Sequence, residues 1–462
     1  MTCKHLVLRV VIACTFVLTA DTANGQTWTG AVNTDWNTAG NWSPATVPNS
    51  VGANVNFPGG AVGTVNISAS VSANQLTFSN ATGGYTLTSS SNQTLSMYLA
   101  PLITVAAEVT GTETINLTNL ASGSLLNNSG NVLSIVNNGA VNAGSLVIGP
   151  NTVIGAAFGA GVAVAGHGFT EISGSFSSSN PVNGGLTKTG PGELTFNGNG
   201  SSLVGGLTLG GGQLTLDYSA NPASKLGGGG LTLAGGDLFL VPNSGTAVTQ
   251  SIPGATAFTS GHTKIGSLGG VSALTLAAGA MTRAVGATAD FIDNGGNNPH
   301  PLNVTTSATN TNGLLGTGPA FATFEMNGYE SGTWATVSGG SVAGLTNYGT
   351  NVYGSGVNTD VTTSTSVAGI TTNSLRFNTG SPTLTLSGTN TLQSGGILVT
   401  PLATAATITG GTLTAPGSGE LIVHQYSQAS PNFSLTINST LVSTAGLTKT
   451  GVALLTLGGV NT

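Results

Sequence analysis

The twelve residues Gly205 to Leu216, GGLTLGGGQLTL, return at Gly229 to Leu240 as GGLTLAGGDLFL, offset by 24 residues with nine of twelve positions identical. No other feature restricts the fold as strongly. Each copy is a Leu-x-Leu step, a glycine corner and a second Leu-x-Leu step: Leu207 and Leu209 then Leu214 and Leu216, Leu231 and Leu233 then Leu238 and Leu240. Period-two alternation sends the leucines to one face and the intervening, mostly Thr, residues to the other. A two-stranded piece this short is not stable alone in water. Stacked copies are, because each leucine then rests on the leucine of the copy below. A unit of about 20–24 residues suits one coil of a parallel β-solenoid.

Composition follows from that stacking. The chain holds 72 glycines in 462 residues, which suits many corners. Only 5% of its residues are charged, against about 25% in ordinary domains. Like charges in successive coils would lie about 4.8 Å apart, so the ladders favour Thr, Ser and Asn outside and aliphatics inside. With 39% hydrophobic residues the chain is not of the disordered class. At roughly 22 residues per coil it would form on the order of 20 coils, a rod roughly 90 to 100 Å long.

The ends and the middle differ from the repeats. Residues 1–25 read as a secretory signal peptide: basic Lys4 and Arg9, the apolar run Val10 to Leu18, then small residues up to Ala23-Asn24-Gly25. Its removal would take both cysteines, Cys3 and Cys14, leaving an exported chain that holds together without disulfides. It would also leave six basic residues against thirteen acidic ones. That balance argues against nucleic acid and against anionic membranes as partners. No later segment is long and apolar enough for a transmembrane helix. Residues 26–60 hold Trp28, Trp36 and Trp42 and read as a cap over the first coil, where an open edge would invite stray pairing. The alternative for these three tryptophans is an aromatic patch for glycan contact. Residues 61–242 read as β-solenoid. Residues 243–374 break the short period and read as irregular solenoid or an inserted subdomain. Residues 375–462 return to repeats and stop within one.

GLTKTGPGELTF (Gly185 to Phe196) and GLTKTGVALLTLGGVNT (Gly446 to Thr462) place Lys188 and Lys449 in identical hexapeptides. These segments resemble the autotransporter-associated β-strand repeat, also called the passenger-associated transport repeat, of exported bacterial proteins. The resemblance covers about 60 residues near 184–240 and about 50 at the C-terminus. It implies an all-β, right-handed parallel β-helix, displayed at the cell surface or outer membrane or released from it. The chain departs from the pattern in stopping where the next strand is expected and in lacking a C-terminal outer-membrane barrel. A truncated chain or a gene fragment is therefore expected, and an outer-membrane translocator that the resemblance allows is not encoded in these residues. Lys188 and Lys449 read as repeat markers with solvent-facing ammonium groups, not as catalysts.

Parallel β-helices also carry polysaccharide-active enzymes. Gly166-His167-Gly168 looks like one piece of the polygalacturonase pattern, and Asn33-Thr34-Asp35 and Asn358-Thr359-Asp360 supply Asn-x-Asp. An inverting hydrolase needs two carboxyl groups about 6.5 to 9.5 Å apart. The chain has no Asp-Asp pair and no Arg-x-Lys, and the fragments occur in the wrong order. Asp290 and Asp293, beside Asn294 and Asn297, form the densest acidic neighbourhood but lack calcium-loop spacing. His167, His262, His300 and His424 have no motif partner for nucleophilic catalysis. The expectation is no catalytic, metal or cofactor site. The partner is expected to be an extracellular ligand, a glycan or another surface protein.

Overall fold

A computed structural model of the chain describes residues 25–60, 62–122, 132–141, 143–155, 161–176, 185–200, 203–269, 272–292, 302–326, 329–415, 419–426 and 434–461. Residues 1–24, within the segment expected to be a signal peptide, and Asp293, Asn294, Asn297 and His300, lie outside these residues.

The Leu-x-Leu steps pair as the alternation requires. Leu186, Leu207 and Leu231 stand in parallel register, and so do Leu194, Leu214 and Leu238 in the facing sheet. Their side chains are buried, while the intervening Thr187, Thr208 and Thr232 are half-buried on the outer face. The chain is 55% strand and 1% helix, stacked as a β-solenoid of about 15 turns. That is fewer coils than a 22-residue period predicts, because several coils are longer. The bond from Thr152 Oγ1 to the Ile115 carbonyl, for example, spans 37 residues.

Two stacks share the chain. The first is built on a 15-stranded and a 16-stranded sheet, the second on an 8-stranded and a 5-stranded sheet. Residues 243–374 divide between them. Parallel pairing of the first stack continues through Leu274–Ala277, Thr288–Ile292 and Ala322–Met326. The antiparallel strands Tyr329–Ser338 and Ser341–Gly344 interrupt it. The second stack then starts at Gly349–Thr350 and Asn358–Val361, before the regular repeat language resumes.

The N-terminal tryptophans close the first stack from inside. Trp28, Trp36 and Trp42 are 3%, 0% and 3% exposed. Trp42 meets Trp28 and Trp36 edge-to-face at 5.0 and 4.9 Å, and Phe57 continues the cluster at 5.9 Å from Trp36. The indole N–H groups of Trp36 and Trp42 donate to the carbonyls of Pro48 and Trp36. A glycan-contact patch needs exposed ring faces. These rings have none, so the glycan role of Trp28, Trp36 and Trp42 is withdrawn.

Candidate functional site

Alternation places Lys188 on the leucine face, in one row with Val164, Leu209, Leu233, Phe258 and Arg283. The solvent-facing reading of Lys188 is therefore corrected: the residue is 1% exposed. Its Nζ donates to the carbonyls of Thr189 and Gly190, and to Gly211 of the next coil. Gly212 has a φ of +66°, and a Cβ there would stand 2.8 Å from that Nζ. The glycine corner thus makes room for the ammonium. Lys225 is held the same way, donating to Asn197, Gly198 and Asn221 carbonyls with its Nζ 5.2 Å over the Tyr218 ring. Burial lowers both lysines to about 8. The spacing of the repeats gave no signal for Lys225.

The row containing Lys188 ends at Arg283, and there the second stack covers the first. Arg283 Nη1 donates to Glu420 Oε2 at 2.6 Å, with both side chains almost fully buried. The Gly286 N–H and the Thr448 hydroxyl also donate to Glu420. Ile422, from the second stack, belongs to the hydrophobic core of the first. Glu420 and Ile422 fall on one face with His424 by alternation. That outer face of the second stack plugs the open end of the first.

Further polar groups meet in the plug. His424 Nε2 lies 3.2 Å from the Ala320 carbonyl, so it carries the proton and donates, which leaves Nδ1 bare toward the Tyr426 hydroxyl at 3.3 Å. Tyr426 Oη is 3.2 Å from Thr323 Oγ1, which donates to Asp290 Oδ1 at 3.0 Å. Burial, with Lys264 nearby, lowers His262 to about 4. Burial, with His262 and Arg283 nearby, lowers His424 to about 3. Asp290 is 3% exposed and engaged within this joint. Among the described residues no cluster of three or more His, Cys, Asp or Glu could hold a metal ion.

Along the same outer face the second stack carries Asp360 and Arg376 in direct register. They form a bidentate pair: Arg376 Nε and Nη2 donate to Asp360 Oδ1 and Oδ2 at 3.1 and 2.7 Å. Arg376 Nη1 donates to the Gly332 carbonyl, and the guanidinium lies 3.6 Å over the Tyr348 ring. Beside this assembly is a cavity of about 410 Å³, walled by Leu345, Tyr348, Arg376, Asn378, Pro401 and Leu402.

The fragments of the polygalacturonase pattern are not brought together. Asp35 sits in the tryptophan cap, where it accepts bonds from the Asn37 N–H and the Thr38 hydroxyl. Asp360 is tied to Arg376 in the second stack. His167 is exposed on the first, lining a groove of about 470 Å³ with Ser145, Phe169 and Glu193. Glu193 Oε1 already accepts from Gln213, Thr215 and Thr195. Glu193 is the one carboxylate lining this groove among the described residues, and an inverting hydrolase uses two.

No family model, curated protein or solved structure matches this chain. Among the described residues no helix is long and apolar enough to cross a membrane.

Proposed function

We propose that the protein is an exported, non-catalytic β-solenoid passenger, adhesin-like, displayed at or released from the bacterial surface. One observation carries this reading: four basic side chains of the kind a β-helix enzyme would aim into a groove hold the coils together. Lys188 and Lys225 hold backbone carbonyls, Arg283 closes the joint and Arg376 pairs across a ladder. What the stacks present outward is a half-buried Thr surface such as Thr187, Thr208 and Thr232, with loops at the corners. The GLTKTG hexapeptides and the secretory pattern of residues 1–25 support export.

The test is expression of the whole chain with its own N-terminus, followed by N-terminal sequencing of the product and trypsin digestion of the folded rod. Cleavage near Gly25 and slow proteolysis are expected. The same protein is incubated with pectin, polygalacturonate and chitin while new reducing ends are measured. Steady release of reducing ends would replace this reading with that of a polysaccharide-active enzyme using the His167–Glu193 groove.

A further inference from the structure

The cavity beside Arg376 has a specific chemical bias. A guanidinium has five N–H donors. Arg376 spends three of them, two on Asp360 and one on Gly332. Asn378 accepts a bond from the Thr400 hydroxyl at Oδ1. Among the described residues its Nδ2 has no acceptor. The polar part of the wall is therefore rich in unspent donors.

The pair is also already neutral. Asp360 compensates the charge of Arg376, so an anionic ligand would gain no net attraction there and would face the Asp360 carboxylate as well. The fitting group is a neutral acceptor oxygen such as an amide carbonyl. The rest of the wall is mainly apolar, with Leu345, Pro401, the Tyr348 ring and Leu402 beside the hydroxyls of Thr333, Thr346 and Thr400, of which Thr333 and Thr400 already donate within the protein. Leu402 stands at the rim and is 68% exposed. Small-molecule sites are typically of about 300–1,000 Å³, mostly apolar, with a few convergent polar groups. This cavity has that size and that make-up.

A second hollow of about 430 Å³ lies across the Leu345–Tyr348 wall, and its lining includes Asn312, Asn347 and Asn358. Asn347 is exposed. The Asn358 amide is spent on Asn312, Asn373 and Ser374, and Asn312 Nδ2 donates to Asn373, so it is the exposed Asn347 amide that suits a hydroxyl group here. The two hollows together therefore suit a ligand with an acetyl-amide at one end and a polyol ring beside it.

We propose that the cavity walled by Leu345, Arg376, Asn378 and Leu402 binds the acetamido group of a neutral N-acetylated sugar, with the adjoining ring directed along the Asn347 side. The acetyl methyl packs on Leu345 and Leu402, and the carbonyl oxygen accepts from Arg376 and Asn378. This assignment gives the adhesin-like reading a ligand class, yet it stands or falls separately from export.

The probe is N,N′-diacetylchitobiose, titrated into the folded full chain by calorimetry or ligand-observed NMR, beside cellobiose and digalacturonate. Saturable binding of the diacetylated sugar is expected, at least about tenfold tighter than either comparison sugar. Asn378→Asp keeps the shape and the Thr400 contact but replaces the donor with a carboxylate. Leu402→Asp changes an exposed rim residue. Each should weaken binding at least about tenfold with an unchanged melting temperature. Absence of saturable binding in the parent protein would overturn the proposal, as would equal binding of cellobiose, preference for digalacturonate, or full affinity in both variants. None of those results bears on the protease-resistance or N-terminal measurements that test export.

Discussion

The strands Leu231–Leu233 and Leu421–Gln425 occupy similar places in their stacks, each hydrogen-bonded to a parallel strand on both sides. Their burial differs. In Leu231–Leu233 the two leucines are buried and Thr232 is half-buried, whereas all five residues of Leu421–Gln425 are buried. The first strand has water over its outer face, so a β-branched polar residue suffices there. The second has the end of another stack over its outer face, and that face carries Ile422 and His424, with Glu420 just before the strand. Losing water from a polar face requires new partners for every group on it. Both ion pairs among the described residues lie on this covered face of the second stack.

The largest way to break the contrast is to remove charge from the plug. Glu420→Gln leaves Arg283 buried without its counter-ion, and breaking a buried pair in this way typically costs about 3–5 kcal/mol. Denaturant unfolding followed by tryptophan fluorescence should show the plug lost before the bulk of the first stack. A variant as stable as the parent would mean that the pair contributes nothing at the joint.

Next is the steric fit. A Cβ on Gly396 would stand 2.3 Å from the Ala320 Cβ and 3.1 Å from the Trp334 ring. Gly396→Ala should therefore destabilise the joint by about 1–3 kcal/mol, the usual range for overpacking. The same change at Gly235 meets no atom within 4 Å, but it must adopt a φ of +103° and so reports backbone strain alone. Comparing the two melting temperatures separates crowding from strain.

Acid sharpens the contrast further. His424 and His262 stay neutral in the folded chain down to about 3 and about 4. In the unfolded chain both take up protons below about pH 6.5. The folded pKa values are depressed, so the unfolded state binds more protons in that interval. Stability is complete above about 6.5 and falls as the pH drops toward 4 and then 3. His424→Gln should flatten this pH dependence by roughly one proton, about 1.4 kcal/mol per pH unit. Equal slopes in the two proteins would show that the ring does not remain neutral.

The smallest difference concerns one hexapeptide in two places. Lys188→Met removes an ammonium held by three carbonyls and should cost about 1–3 kcal/mol by leaving buried acceptors unmet. Lys449 is exposed and among the described residues its Nζ donates to Gly451 alone, so Lys449→Met should stay within about 0.5 kcal/mol. Matching losses in thermal unfolding would contradict the burial difference.

Much of this was readable in the residues. The offset between Leu207 and Leu231 is the register of the ladder. Alternation even carried the correct side for Lys188, since Leu186 and Lys188 are two residues apart. It was overruled by the expectation that lysine faces water, which ignores how well free carbonyls at a glycine corner solvate an ammonium. The joint was not readable. Arg283 and Glu420 are 137 residues apart, and no period connects them. Nor does any motif connect Asp360 and Arg376 with the Leu345–Tyr348 wall.

The sequence by itself determined the coil: short apolar steps, glycine corners and too little charge for any architecture but uncharged stacked ladders. Only the tertiary structure decided that the ladders form two stacks, and that the outer face of one closes the end of the other. Coil formation depends on contacts between neighbouring repeats, which recur and leave a periodic trace. The plug and its adjoining cavity depend on single long-range contacts, made once, and such contacts leave no period to read.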